Sequence, residues 1–160
     1  MFIYCDTNIY CRPFDDQSQP RIKAETEAFL DILQQVEENQ ITLVSSDVLV
    51  AEIDRIHNLS KRRLVELYLT HCGRHISASV RIVHVANELV KQCHLKPKDA
   101  FHIASAWGGR VRNFLTCDDR VVKKRELVSK TTKQMGFEVC VLNPLEFLGL
   151  IQSNDQREGE

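Results

Sequence analysis

Short apolar runs recur along this chain, and helical periodicity fills the stretches between them. FIYC (2–5), ITLVS (41–45), NFLTC (113–117) and FEVCVL (137–142) are continuous and rich in β-branched and aromatic residues, as strands covered on both faces are. HISAS (75–79) is a weaker strand candidate. Residues 20–38 set Ile22, Phe29, Ile32, Leu33 and Val36 at helical spacing behind Pro20. Ser46 and Asp47 are candidate caps for a helix through Val48, Leu49, Ile53 and Ile56. A further helical stretch follows Ser60, and residues 80–93 repeat the pattern. Pro97 then opens KPKDAFHIASAWG, a helix of small residues closed by Gly108 and Gly109. Such alternation predicts an α/β domain with a mainly parallel sheet, in which ligands bind beyond the carboxyl ends of the strands.

With 160 residues, 43% of them hydrophobic and 27% charged, the chain has the make-up of one soluble globular domain. Residues 1–148 are expected to form it. The terminal QSNDQREGE is polar, and 149–160 are expected to be a frayed tail. A net charge of −1 gives no global attraction to nucleic acid and leaves only a local basic patch to provide one. The N-terminus lacks a basic region followed by an apolar segment, and no apolar run is long enough to span a bilayer. A cytoplasmic location without membrane contact is the expectation. The six cysteines include no CxxC pair and read as reduced thiols. His71, Cys72, His75, Cys93 and His94 make a poor zinc site for the same reason.

Four carboxylates stand where a purely structural sequence would seldom put them. Asp6 ends the first strand, immediately before Thr7 and Asn8. Glu52 lies among Val50, Ala51 and Ile53. Asp99 occupies the first turn of the small-residue helix, and Asp118 follows FLTC with Asp119 beside it. Singly, Asp6 or Asp118 reads as a turn residue or helix cap, and Asp99 as a helix-dipole carboxylate worth about 0.3–1 kcal/mol. Gathered at one sheet edge they would repel one another unless protonated or neutralised by a cation. All-oxygen donors select a hard ion, Mg²⁺ or Mn²⁺.

YCDTNIY, LVAEI, KPKDAFHIASA and NFLTCDD, in that order and spacing, resemble the acidic motifs of PIN-domain ribonucleases over residues 1–148. The resemblance implies a Rossmann-like three-layer α/β/α sandwich and Mg²⁺- or Mn²⁺-dependent hydrolysis of RNA phosphodiester bonds, leaving a 5′-phosphate and a 3′-hydroxyl. It assigns Asp6, Glu52, Asp99 and Asp118 as catalytic and metal-binding residues, with Asn8 and Thr116 in support. Asp119 doubles the fourth acid. Strand alternation favours Asp118 as the one facing the site, with Asp119 capping or solvated. In compactness the chain is similar to VapC-type toxins of toxin–antitoxin pairs, which implies a homodimer and an antitoxin partner. A non-toxin RNA-processing nuclease carries the same motifs.

RNA contacts would need cations at the rim. Arg12, Arg21 and Lys23 on one side, and Arg120, Lys123, Lys124 and Arg125 on the other, are candidates, each with an ordinary solvated helix face as the alternative. His102 reads as a packed or capping histidine rather than a general base, and Trp107 as core or dimer packing rather than a base-stacking platform. The run from His57 to His75 has no assignment. Phe29, Ile32, Leu49, Ile53, Leu64 and Tyr68 offer apolar surface for a groove as well as a core. A haloacid-dehalogenase-type phosphatase would show a second Asp two residues after the first, where this chain has Asn8. A non-catalytic PIN-like module would have lost acids, and none is lost.

Overall fold

A computed structural model describes residues 1–158, with side chains through Ser153. The elements are β1 (Phe2–Cys5), α1 (Thr7–Cys11), a 3-10 turn (Arg12–Phe14), α2 (Pro20–Glu37), β2 (Thr42–Ser46), α3 (Asp47–Asp54), α4 (Leu59–Leu69), β3 (Cys72–Ile76), α5 (Val80–Cys93), α6 (Pro97–Gly108), β4 (Asn113–Leu115), α7 (Asp119–Val122), α8 (Arg125–Gln134), β5 (Cys140–Leu142) and α9 (Pro144–Glu158). The sheet is wholly parallel, in the order β3-β2-β1-β4-β5. β1 is central: Ile3 sits opposite Leu43 on one side and Asn113 on the other. The chain winds outward from β1 through β2 to β3, then returns to β4 and β5. The reversal falls between β1 and β4, where such sheets open a crevice for ligands.

Alternation along β1 divides the interior into two cores. Tyr4 points to one face, where it stacks on Phe114 at 5.5 Å between ring centroids and packs with α5 and α6. Ile3 and Cys5 point to the other, where α1, α2, α3 and α9 cover them. Layers of helix on both faces give the α/β/α sandwich expected from the sequence.

Several boundaries differ from expectation. The strand sought at 75–79 lies earlier, at Cys72–Ile76, and is an edge strand with Gly73, Arg74 and His75 exposed. A register shift between Leu43 and Val44 leaves Gly73 without a partner, a bulge where a Cβ would stand 3.0 Å from Thr42 Cγ2. The unassigned run 57–75 thus supplies α4 and most of β3. β5 is shorter than FEVCVL because only Cys140–Leu142 pair with β4. Residues 149–158, expected to fray, continue α9, and Ile151 packs against the second core; residues 159 and 160 lie outside the described residues. The apolar groove is not formed: Phe29, Ile32, Leu49 and Ile53 are completely buried, Tyr68 stacks edge-on against Phe29, and of the six only Leu64 is exposed. All six cysteines are free thiols. Cys72 lies against Tyr10 and Cys93 against Thr131, so no zinc-like cluster assembles from them.

Glu25 explains how α2 is fastened. Its buried carboxylate accepts hydrogen bonds from Arg12 at 3.3 Å, Arg21 at 2.9 Å and the Asn143 amide at 3.1 Å. Arg21 also grips both oxygens of Asp119, at 2.6 and 2.7 Å. Of the residues expected at an RNA-binding rim, Arg12 instead ties the 3-10 turn to α2 and Arg21 ties α2 to the segment leaving β4. Lys124 donates to the His94 carbonyl, Arg125 pairs with Glu146, and Lys23 and Lys123 stay exposed. A buried carboxylate that loses one of its charged donors is costly. Arg12→Ala is therefore expected to lower the unfolding free energy by roughly 1–3 kcal/mol. Lys23→Ala should change it by less than about 0.5 kcal/mol. Urea denaturation of the two variants makes the comparison.

Candidate active site

Beyond the carboxyl ends of β1, β2 and β4 lies a cleft of about 400 Å³. Four carboxylates line it, Asp6, Glu52, Asp99 and Asp118, together with Asn8 and three cations, Lys96, Lys98 and Arg120. The four sequence-predicted acids therefore do meet.

Asp6 follows β1 directly and caps α1, accepting from the Thr7 N–H at 2.7 Å. Its other oxygen accepts from Thr116 Oγ1 at 2.9 Å and from the Asn8 amide at 3.1 Å. Asn8 also donates to Thr116 Oγ1 and accepts from the Cys117 N–H, each at 3.0 Å. This small network ties the end of β1 to the end of β4 through Asn8 and Thr116. Asp99 sits in the first turn of α6, where the helix dipole favours a carboxylate. Asp118 lines the cleft and caps α7, and Arg120 clamps it at 2.9 Å. Asp119 faces away into the Arg21 ion pair, so the cap expected of Asp119 falls to Asp118.

Glu52 projects from α3 with both oxygens engaged. Lys98 reaches Oε1 at 2.7 Å from the solvent side, and His102 Nε2 meets Oε2 from the interior. His102 is completely buried, and its Nδ1 lies 2.7 Å from the Tyr4 hydroxyl.

Charge divides these acids into two kinds. Burial would raise Glu52, but the hydrogen bonds from His102 and Lys98 outweigh it and hold the group at about 2. The hydrogen bond from Arg120 lowers Asp118. Asp6 is raised, by burial first and by Glu52 as well. Asp99 is raised by burial and by repulsion from Asp6 and Asp118. Among the described residues neither Asp6 nor Asp99 forms an ion pair with a lysine or arginine, and the one basic side chain near Asp6 is His102, whose Nε2 lies 3.8 Å from Oδ1. A buried carboxylate and a partly buried one, without a counter-charge, suit a hard divalent cation. One oxygen each of Asp6 and Glu52 and a His102 nitrogen lie within 4.8 Å of one another. His102 is nonetheless no ligand in this arrangement, because both its ring nitrogens are already engaged by Tyr4 and Glu52.

No protein-family model and no curated protein matches the chain. Solved structures do. FitAcB from Neisseria gonorrhoeae aligns with a TM-score of 0.54 at 19% identity, covering 89% of this chain and 98% of that one. VapBC2 from Rickettsia felis, bound to a DNA fragment from its promoter, gives 0.58 at 14% identity, covering 89% and 98%. A toxin–antitoxin complex from Klebsiella pneumoniae gives 0.51 at 19%, covering 89% and 97%. The fold is that of a PIN domain.

Within this PIN fold, the sequence reading missed three neighbours of the acids: Lys96, Lys98 and the inward role of His102. Lys98 had a signal, lying one residue before Asp99 in the same first turn. His102 had one too, three residues after Asp99 on a face otherwise apolar or small. Trp107 is 8% exposed, does not line the cleft and belongs to the first core. No helix among the described residues is long and apolar enough to cross a membrane.

The two kinds of acid predict opposite pH effects on the metal-free protein. Glu52, held low, adds stability that is present above the ordinary carboxylate value and lost as pH falls through about 2. Asp99, held high, subtracts stability as pH rises from the ordinary value through its raised folded one. Asp99→Asn is thus expected to stabilise the chelator-treated protein at pH 7. The advantage should shrink below pH 4, as measured by urea unfolding at both pH values. Equal stability at pH 7 would contradict the charge repulsion.

Proposed function

We propose that this chain is an endoribonuclease dependent on Mg²⁺ or Mn²⁺, and the toxin of a toxin–antitoxin pair. The observation that carries the proposal is the pair Asp6 and Asp99, raised carboxylates that share a cleft at the switch point and lack a cationic partner. Asp6 and Asp99 would hold the ion, with Asp118 and Glu52 completing the ring of oxygen donors. Bound there, a divalent ion supplies an activated water near neutral pH and offsets the charge of a phosphodiester.

The chain's own groups do the rest. Thr116 and Asn8 orient Asp6. Lys96, Lys98 and Arg120 stand among the acids, where a phosphate backbone must pass, and replace Arg12 and Arg21 as the contacts for RNA. Lys98 and Arg120 also neutralise Glu52 and Asp118 while no other cation is near. The toxin assignment draws on the fold shared with FitAcB, VapBC2 and the Klebsiella complex, which are solved as complexes. It brings with it an antitoxin partner, a homodimer and a cytoplasmic setting.

Cleavage of single-stranded RNA with Mn²⁺ is expected to yield 5′-phosphate ends and to stop on chelation. Asp6→Asn should reduce it by about a hundredfold or more, several kcal/mol of barrier. Asp118→Ala should be similarly damaged while Asp119→Ala keeps most of the activity. Metal-independent cleavage would remove the mechanism, and a dead Asp119→Ala with an active Asp118→Ala would shift the fourth acid by one residue. The toxin reading is checked by expressing the chain alone and with the gene beside it. Growth arrest relieved by a co-purifying neighbour is the expected result, with light scattering reporting a dimer of the free chain.

A further inference from the structure

His102 is the one completely buried histidine side chain that touches the cleft acids, and the proposed chemistry does not use it. Its hydrogen bonds form a chain with a direction. The Leu49 N–H donates to Ser46 Oγ at 3.1 Å, capping α3. Ser46 Oγ lies 2.6 Å from the Tyr4 hydroxyl, and that hydroxyl lies 2.7 Å from His102 Nδ1. His102 Nε2 meets Glu52 Oε2. Tyr4, Ser46 and His102 are all completely buried, so each hydrogen must find an acceptor within this chain.

One assignment satisfies every group. Glu52 offers only acceptor oxygens, so Nε2 carries the hydrogen and donates. Nδ1 of a neutral ring then accepts from the Tyr4 hydroxyl, whose oxygen accepts from the Ser46 hydroxyl. With a hydrogen on Nδ1 instead, Tyr4 would have to donate to Ser46. The Ser46 hydrogen would then be left without an acceptor in the core. The links come from four separate elements, β1, β2, α3 and α6, and they converge on one carboxylate.

We infer that Tyr4 and Ser46 lock His102 in its Nε2–H form, and that His102 in turn is the positioning residue that aims Glu52 into the cleft. Glu52 is bracketed unequally. Lys98 is 62% exposed and free to leave Oε1 when a metal or phosphate arrives, whereas His102 is 0% exposed and keeps Oε2. The interior contact fixes the carboxylate, and the surface contact is the exchangeable one. The arrangement follows the general rule that groups behind a metal-binding carboxylate set its orientation. This inference rests on the proposed role of the acids as metal ligands, but its first readout needs neither metal nor RNA.

Nitrogen-15 NMR of the full metal-free chain, labelled at histidine, reads the ring directly, with His102→Gln identifying the resonance. The ring hydrogen is expected on Nε2, with Nδ1 accepting from the Tyr4 hydroxyl. Tyr4→Phe removes the lock without touching the cleft, and should mix the two ring forms. Mn²⁺ affinity by titration should fall about 10–100-fold in Tyr4→Phe and in His102→Leu. His102→Gln, which keeps an N–H near the Nε2 position, should restore most of it. In a Glu52→Gln background, Tyr4→Phe should cost no further affinity, because the effect passes through Glu52. If His102→Leu fails to fold, Tyr4→Phe and His102→Gln still decide. A hydrogen found on Nδ1, or a Tyr4→Phe variant with unaltered ring form and Mn²⁺ affinity, would overturn the inference. Absent RNA cleavage with the ring and Mn²⁺ results as stated would count against the ribonuclease reading alone.

Discussion

A carboxylate is hung between two strands that part company at its position. Asp6 is 3% exposed, ends the central strand, and is held by a threonine and an asparagine amide that also engage each other. Because Thr116 belongs to the segment leaving β4 and Asn8 to α1, the triangle closes the crevice floor where the sheet reverses its winding. Every other group in the cleft is placed relative to this point. α6 delivers Asp99 and His102 from above it, α3 delivers Glu52 beside it, and the turn after β4 delivers Asp118. Withdrawing such a group from water costs several kcal/mol unless it is compensated, and dipolar donors compensate only part of it.

The remaining cost gives the site its character. Glu52 and Asp118 are matched by Lys98 and Arg120, cations on exposed side chains, and their carboxyls lie low. Asp6 and Asp99 are not matched, and theirs lie high. A fold that keeps an uncompensated pair of acids in a cleft, with two mobile cations at hand for the others, is suited to exchanging its counter-charges. The interior gives up nothing in that exchange, because His102, Tyr4 and Ser46 are fixed by packing on all sides. Exposed lysine and arginine ion pairs contribute about 0–1 kcal/mol each, so breaking them costs the protein little.

Most of this was legible in the sequence. The strands announced themselves as apolar runs and the four acids by their incongruous positions. Pro97 and Gly109 bounded α6 as written. What was not legible was pairing. Nothing in the neighbourhood of Arg12 signals that a buried Glu25 on the next helix claims it, because that contact exists only after the 3-10 turn folds back onto α2; the i,i+4 spacing of Arg21 and Glu25 within α2 was a signal not used. His102 looked like packing, and it is packed; its link to Glu52 spans 50 residues of chain and depends on α3 and α6 meeting. Of the six apolar residues expected to form a groove, Phe29, Ile32, Leu49 and Ile53 went into the core and only Leu64 stayed on the surface, since periodicity gives a face but not what covers it. The polar tail continues α9 through Glu158, carried on from a turn anchored by Phe147 and Ile151.

The edge strand β3 has a consequence for how copies of this chain behave when crowded. An open parallel edge exposes a row of unpaired amides and carbonyls, and an incoming strand reads them as a template. β3 defeats that reading twice within five residues. Gly73 bulges out of register, and His75 is turned back by Ser45 at 2.8 Å and Asp47 at 2.7 Å, while Arg74 folds inward over the Phe2 ring of β1 at 5.4 Å. The ladder is bent where it would otherwise grow. Strand addition is disfavoured at this border, which leaves β5 as the edge of the sheet where a strand would more readily add.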